Sequence, residues 1–417
     1  MFLNKKYLFL VVTLFYFHIT DGQIIGEYLP KWTSGTLDIH EISTGRGSST
    51  FFVFPDGTTM VYDAGEFTET NQKWRIPRYV KAKPDATKNS GEWISKYIAN
   101  FLQDLPKKQI DYALISHFHW DHMGQITSKS PLSKSKKYKL SGITTLAENI
   151  SIKKIIDRDF PNYNFPKEQN SPTMVNYISF LDWNRKKKGL QVERFLPGSN
   201  DQIILKNKKS DYPTFEIRNI ASNGNVWTGI KNTFKNHYPE LEDLKPEDYP
   251  SENMCSLALR LSYGEFDYFT GGDLRGVPPP GNPSWNDLET PIAKVVGNVE
   301  AALLNHHGHI DSQNSFFVST LSPKVWLLSV WDSAHPGPTT YKRLQSTKLY
   351  NGSRDIFATG MHYANKLVTV GLDKLKSDNG HIVIRVAPQG KTFKVIIIDD
   401  SVEKGKVKAI YGPYKSN

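Results

Sequence analysis

Apolar and polar positions along the chain follow two periods, one of about two residues and one of about 3.6, and each marks a different kind of element. Residues 49–66, STFFVFPDGTTMVYDAGE, hold two runs of β-branched and aromatic residues around Pro55, Asp56 and Gly57. Asp-Gly supplies the turn that joins neighbouring antiparallel strands, so the stretch reads as a hairpin. Trp93, Ile94, Tyr97, Ile98, Phe101, Leu102 and Leu105 recur at helical spacing, which predicts a helix over 92–105 that stops at Pro106. A short strand is expected at 111–116. Hairpin, helix and strand in that order open a layered α/β protein. Further strands are expected at 152–157, 202–206 and 215–221, with a helix over 174–188 that closes on the basic run Arg185–Lys188. Residues 223–253 are polar and hold several prolines and acidic residues, so they read as an irregular insertion. A second hairpin follows at 256–273 with Gly264 near its turn, then buried strands at 299–308 and 323–330 and short β segments at 354–360, 380–387 and 392–399. Without an internal repeat or a Pro- or Gly-rich linker, one elaborated domain over 23–417 is expected.

The first 22 residues read as an address label. Lys5 and Lys6 precede Tyr7–Phe17, an unbroken apolar run of about eleven residues, the length of a signal-peptide core and too short to span a bilayer. Thr20 and Gly22 are small residues at cleavage positions, which predicts a mature chain from about Gln23, exported to a periplasm or beyond. No later apolar stretch approaches about 18 residues, so no stable membrane span is expected after cleavage.

Composition narrows the chemistry. Of 417 residues 38% are hydrophobic, 12% aromatic and 23% charged, which excludes a disordered acidic tail, a fibrous repeat and a polytopic membrane protein. The single cysteine, Cys255, excludes an intrachain disulfide and any cysteine-rich zinc site, and it fits an exported bacterial protein that does not rely on disulfides. Any metal must therefore be held by histidine and carboxylate. The chain carries 52 Lys+Arg against 42 Asp+Glu, a net charge of +10, but much of the lysine excess falls at 129–139, 185–188 and 206–209. That balance favours an anionic partner only weakly.

The sharpest chemical signal is SHFHWDHMG at 116–124, directly after an expected strand. Side chains alternate along extended backbone, so His117 and His119 share a side and can share one ion, while Asp121 and His122 come as the chain turns and can reach a second. Gly271 and Gly272 let the chain turn tightly before Asp273, which can bring that carboxylate to the same place. His306 and His307 end an apolar strand, where adjacent side chains point opposite ways. Only one is expected to reach a metal; His307 is favoured as the ligand and His306 as its supporting neighbour. His335, between Ala334 and Pro336, either completes the second metal site or serves as proton donor. Arg275 is either a surface residue or a clamp for an anionic substrate, and Trp120, Trp285 and Trp331 either pack in the core or line a cleft.

HFHWDH (117–122) resembles the HxHxDH motif of the metallo-β-lactamase-fold hydrolases, and the hairpin ending in YDAG (62–65) resembles the strand that precedes it. FTGGD (269–273) is similar to the family's Gly-Asp turn, which implies that Asp273 bridges two metals. LLNHHGHIDS (303–312) and SPKVWLLSVWDSAHPGP (322–338) resemble the paired-histidine and late Ala-His-Pro segments of the ComEC-like subgroup, which includes the hydrolase domain of bacterial DNA-uptake channels and free-standing exported relatives. The resemblance runs over most of residues 36–400 and implies a four-layer αββα sandwich of two mixed sheets flanked by helices. One departure stands out: between Met123 and Asp273 the only histidine is His237, in the polar insertion, so the partner completing the first ion is left open among His237, His306 and His307, and a single-ion site is open too.

The function expected from this is an exported hydrolase, most simply dinuclear in zinc with manganese and iron open, that acts through a metal-bound hydroxide on a phosphodiester, a nucleic acid or another anionic ester. Asp121 and His335 are its expected catalytic residues, and His117, His119, Asp121, His122, Asp273 and His307 its expected ligands. A carboxylic ester, lactone or β-lactam is the alternative substrate. A non-catalytic exported binding module that keeps the metal for stability is the alternative function.

Overall fold

The computed structural model describes residues 23–67 and 77–417. The expected signal peptide, 1–22, lies outside the described residues. The first half of the chain runs β1 (Leu37–Glu41), β2 (Thr50–Val53), β3 (Thr59–Tyr62), α1 (Ser90–Leu102), β4 (Ile110–Ile115), α2 (Trp120–Met123), α3 (Ile143–Asn149), β5 (Ile152–Asp157), α4 (Pro172–Lys188) and β6 (Gln191–Arg194). The second half runs β7 (Phe215–Ser222), β8 (Asn225–Trp227), β9 (Phe234–Asn236), β10 (Ala258–Tyr263), β11 (Phe266–Thr270), α5 (Glu289–Val296), β12 (Ala301–Leu303), α6 (Ser315–Leu321), β13 (Val325–Leu328), α7 (Pro338–Gln345), β14 (Asp355–Ala358), α8 (Tyr363–Val368), β15 (His381–Val386), β16 (Thr392–Ile398) and β17 (Val407–Lys415).

These strands form two mixed sheets. One has nine strands in the order β17-β16-β15-β1-β2-β3-β4-β5-β6, the other eight in the order β14-β13-β12-β11-β10-β7-β8-β9. Their facing sides share a core of alternating residues, among them Phe52, Tyr62, Leu114, Leu259, Tyr268 and Ile384. The outer side of the nine-stranded sheet packs Val61, Ala113 and Ile155 under Ile94, Ile98, Leu146 and Phe180 of α1, α3 and α4. The outer side of the other sheet packs Ala302 and Trp326 under Ile292, Phe317 and Tyr341 of α5, α6 and α7. Helix, sheet, sheet, helix is the four-layer sandwich expected. β3 and β4 run parallel, as do β11, β12 and β13, so the carboxyl ends of these strands from both sheets meet along one edge.

Three expectations about local structure are corrected. Residues 202–206 form no strand: Ile204 N donates to Tyr112 Oη and Lys206 N to Thr58 Oγ1, so side chains rather than a neighbouring strand satisfy this backbone while Ile203 and Leu205 plug the core between the sheets. The insertion at 223–253 is not wholly irregular, because β8 and β9 extend the second sheet at its edge. The strand expected over 299–308 is cut to Ala301–Leu303, and the turn that replaces its end is central to the site.

One buried pair sets an acid limit on stability. His40 in β1 is fully buried, its Nδ1 3.0 Å from Tyr97 Oη and its Nε2 without a hydrogen-bond partner among the described residues. Burial pushes its pKa down to about 3, against the pull of Asp38 and with help from Arg385 and His381. Burial likewise pushes His381 down to about 4, against Asp400. Both are neutral in the folded chain and take a proton near pH 6.5 when it unfolds, so the unfolded state binds more protons as pH falls and stability is lost from about pH 6.5 downward. By pH 4 the loss is about 3 kcal/mol for each histidine. Urea midpoints measured from pH 7 to pH 4 are expected to fall accordingly, and to fall less steeply in His40→Phe; an unchanged slope in that variant would place the acid sensitivity elsewhere.

Candidate metal centre

The edge where the two sheets meet collects every carbonyl-end loop that matters. After β4 the chain bends at His117 and Phe118, is extended at His119 and enters α2 at once, so Asp121 and His122 turn back over the strand end. This turn is clamped by the segment after β3, where Ala64 N donates to His122 O (2.8 Å) and Glu66 N to Trp120 O (3.0 Å), and by the loop between β1 and β2, where Ser48 N donates to Asp121 O (2.8 Å). After β11, Gly272 takes φ +56 and Asp273 N donates to Ser256 Oγ. After β12, His306 (φ 47, ψ 42) and His307 (φ 51, ψ 26) both adopt the left-handed conformation, which non-glycine residues rarely do and which stores strain at functional sites. The turn is held by His306 N to Gly272 O (3.0 Å) and His309 N to His306 O (2.7 Å). Buried Glu289 pins its flanks by accepting from Asn305 Nδ2, Gln313 N and Asn314 N.

Asp273 divides the centre. Its Oδ1 faces His122 Nε2 at 3.1 Å and His307 Nε2 at 3.6 Å, and Asp121 Oδ2 lies 3.3 Å from His307 Nε2 and 3.8 Å from His122 Nε2. Its Oδ2 faces His117 Nε2 at 3.7 Å, whose neighbour His119 Nδ1 is 3.0 Å away. Two sets of donors therefore converge within ion-binding reach, Asp121, His122, Asp273 and His307 on one side and His117, His119 and Asp273 on the other. The six residues expected as ligands all fall in these two groups, His117 and His119 in one and Asp121 and His122 in the other.

The expectation that His306 and His307 point opposite ways is corrected, although His307 alone of the two falls in a donor set with Asp273. The left-handed turn replaces the strand alternation on which it rested, so the two flank Asp273, with His306 Nε2 3.8 Å from Oδ2. His306 is not grouped with His117 and His119; Asn253 Nδ2 donates to its Nε2 at 3.0 Å. His237 stays in the edge region, its backbone N bonded to Gly224 O, and joins none of the donor groups. His335 is buried and stacked on His307 at 4.7 Å, with Nδ1 lacking a hydrogen-bond partner among the described residues. Trp120 and Trp331 stand together with Phe67 beside the Asp121 half, whereas Trp285 packs on Tyr238.

The far nitrogens of three of these imidazoles are already engaged, which is the test of whether a cation fits. His122 Nδ1–H donates to Asp63 Oδ2 (2.7 Å), His307 Nδ1–H to Ser329 O (3.1 Å) and His117 Nδ1–H to Ser116 Oγ (3.0 Å), which itself donates to Asp63 Oδ2 (2.7 Å). Those assignments leave the Nε2 lone pairs of His122 and His117 facing a carboxylate, an arrangement that repels unless a proton or a cation lies between, while His307 Nε2, also near two carboxylates, accepts from Trp331 Nε1 at 3.2 Å. The titration behaviour agrees. Burial opposes the charge on His122, but Asp273, Asp63 and Asp121 override it and hold its pKa well above the ordinary value. Burial likewise works against Asp273, yet His122, His307 and His306 hold it well below the carboxylate range. Without metal a proton on His122 does the bridging; a divalent ion would take its place and release it.

Residues 43–127 match the Metallo-beta-lactamase superfamily. Members of that superfamily are usually hydrolases and typically bind divalent metal. The matched span includes the first hairpin, β4 and the HFHWDH turn; Asp273 and the His306–His307 turn lie beyond it and meet that turn only in three dimensions. No match was found among curated proteins.

Asp63 is the residue that reading the sequence undervalued. It has φ 64, is 1% exposed, and accepts Ser116 N (2.7 Å), Ser116 Oγ and His122 Nδ1. Its signal was the YDAG end of β3, read only as a strand terminus. Asp63→Asn keeps the volume but can no longer accept from every donor, so metal affinity is expected to fall by about 10- to 100-fold with the fold intact. Competition with a chromogenic chelator measures this; unchanged affinity would reduce Asp63 to a turn residue.

Proposed function

We propose that this chain is an exported metal-dependent hydrolase that holds two divalent ions, zinc in the simplest case, and acts on a phosphodiester, a nucleic acid or a related anionic ester. The observation that carries the reading is the single carboxylate of Asp273 facing both donor sets. Export is inferred from residues 1–22, and the substrate class from the likeness of residues 303–338 to the ComEC-like subgroup together with the basic balance.

When bound, a pair of ions supplies a hydroxide near neutral pH and stabilises negative charge on the reacting group. The protein's own residues prepare the place for it. Asp63 and Ser116 fix the rings of His122 and His117, and Ser329 O fixes that of His307. Phe67, Trp120 and Trp331, with ring centroids 4.6–5.1 Å apart, shield the Asp121 side from water. Burial and the neighbouring His307 keep His335 neutral, so it enters a reaction as a proton acceptor rather than as an imidazolium donor.

The test is metal content and substrate preference on one preparation. One to two equivalents of tightly bound transition metal, activity on bis-p-nitrophenyl phosphate above that on an aryl ester or a chromogenic β-lactam, and its loss in Asp121→Ala are expected. Protein that takes up no metal would overturn the hydrolase reading, and activity on the β-lactam alone would overturn the substrate class.

A further inference from the structure

Outside the two donor sets, a third group of side chains is built around Asp311. Its Oδ1 accepts from His306 Nδ1 (2.6 Å) and His309 Nδ1 (3.0 Å), and its Oδ2 lies 3.0 Å from Arg275 Nε. Its backbone carbonyl accepts from Gly276 N (3.0 Å) and Val277 N (2.9 Å), so the segment after Asp273 and the segment after His307 are stitched together here. Asp311 is nearly buried, with 11% of its side chain exposed, while Arg275 and His309 remain 31% and 33% exposed. Burial opposes its charge, but the hydrogen bonds from His306 and His309, with Arg275 nearby, hold its carboxyl below the ordinary range.

The arrangement spends little of Arg275. Arg275 meets Asp311 as an ion pair, with Nε 3.0 Å from Oδ2 but making no hydrogen bond, and its terminal amino groups have no hydrogen bond among the described residues. A guanidinium held beside Asp311 by charge keeps its terminal amino groups as a planar fork, the geometry that grips phosphate oxygens bidentately. One carboxylate also faces a guanidinium and two imidazoles, so donors outnumber acceptors at this rim. The rim is one ring away from the metal centre, because the same His306 that donates to Asp311 has Nε2 3.8 Å from Asp273 Oδ2.

We propose that Arg275, positioned by Asp311, forms an anion subsite for a second phosphoryl group of the substrate, adjacent to the one at the metal centre. The inference rests on the hydrolase reading and narrows it to substrates with a chain of phosphates or phosphodiesters. His309 and His306 steady Asp311 between them. A single isolated phosphate ester would leave the fork unused.

Calorimetry on the metal-loaded full chain tests this with two pairs of probes, inorganic phosphate against pyrophosphate and the dinucleotide TpT against the trinucleotide TpTpT. At least one two-phosphate probe is expected to bind about tenfold or more tightly than its one-phosphate counterpart, and the pair showing the gain tells a phosphoanhydride from a nucleic-acid backbone. In Arg275→Gln that gain is expected to vanish while the one-phosphate affinity, the metal equivalents and the melting temperature stay as in the parent. Arg275→Lys, which keeps charge but not the fork, is expected to recover only part. The inference is overturned if neither pair shows a gain, or if the gain survives in Arg275→Gln. It is also overturned if His306, His309 and Asp311 take up a third equivalent of metal that His309→Gln removes. Protein without metal fails the hydrolase reading and this inference together, whereas metal-loaded protein with no two-phosphate preference fails this inference alone.

Discussion

Asp273→Ala is expected to abolish hydrolysis, by at least about 10³-fold in kcat, and to leave less than one tightly bound metal equivalent. Among the described residues Asp273 is the sole carboxylate placed against both donor sets, with Oδ1 toward His122 and His307 and Oδ2 toward His117 and His306. Removing it leaves each set short of an anionic ligand and leaves His122 with one carboxylate fewer to balance a proton or a cation. Asp273→Asn separates charge from shape: it fills the same space, so an equal loss of metal shows that the charge is what the centre requires. Metal counted by mass spectrometry after exhaustive dialysis is the measurement. A protein that keeps two equivalents in both variants would remove Asp273 from the centre.

Gly65→Ala is expected to be nearly as damaging although it removes no functional group. A Cβ at this position would lie 1.9 Å from Asp121 O and 2.5 Å from Asp121 C, with Gly47 Cα at 2.9 Å. All three are backbone atoms, so no side chain can swing aside, and relief requires moving either the end of β3 or the turn that carries Asp121 and His122. Overpacking of this kind costs about 1–3 kcal/mol or more, and displacement of the ligand turn adds a loss of metal affinity of about tenfold or more. Gly360→Ala is the control, because its Cβ would meet only Val330 O at 3.8 Å and the change is expected to stay within about 0.5 kcal/mol. Thermal melts with and without metal compare the two. Equal melts would mean that the clamp between residues 47–66 and the 119–123 turn is loose.

Much of the layering was legible because burial imprints itself on sequence at short range. The hairpin expected at 49–66, the helix expected over 92–105 and found at Ser90–Leu102, and the strand expected at 111–116 and found at Ile110–Ile115 each announce themselves through the pattern of apolar positions. The segment at 202–206 was misread because an apolar run bounded by polar residues is the same whether its backbone pairs with a strand or with the side chains of Tyr112 and Thr58. β17 went unseen because VKAIYGPYK carries Gly412 and Pro413 and has few apolar residues, a composition that an edge strand tolerates and a pattern search rejects.

For the candidate metal centre, the sequence by itself determined the donor types and half of their grouping. HFHWDH places four donors within six residues, so their division into His117 with His119 and Asp121 with His122 follows from one strand end and one turn. Only the tertiary structure decided the rest. That Asp273, 150 residues beyond Met123, faces both pairs depends on the carboxyl ends of two sheets meeting at one edge. That both His306 and His307 flank it depends on a left-handed turn held by Gly272, Glu289 and Asp311, and of those partners only Asp311 is near in sequence. Local periodicity records which face of an element is buried, but the direction of a side chain at the end of a strand is set by hydrogen bonds from distant segments, and these exist only once the two sheets have packed.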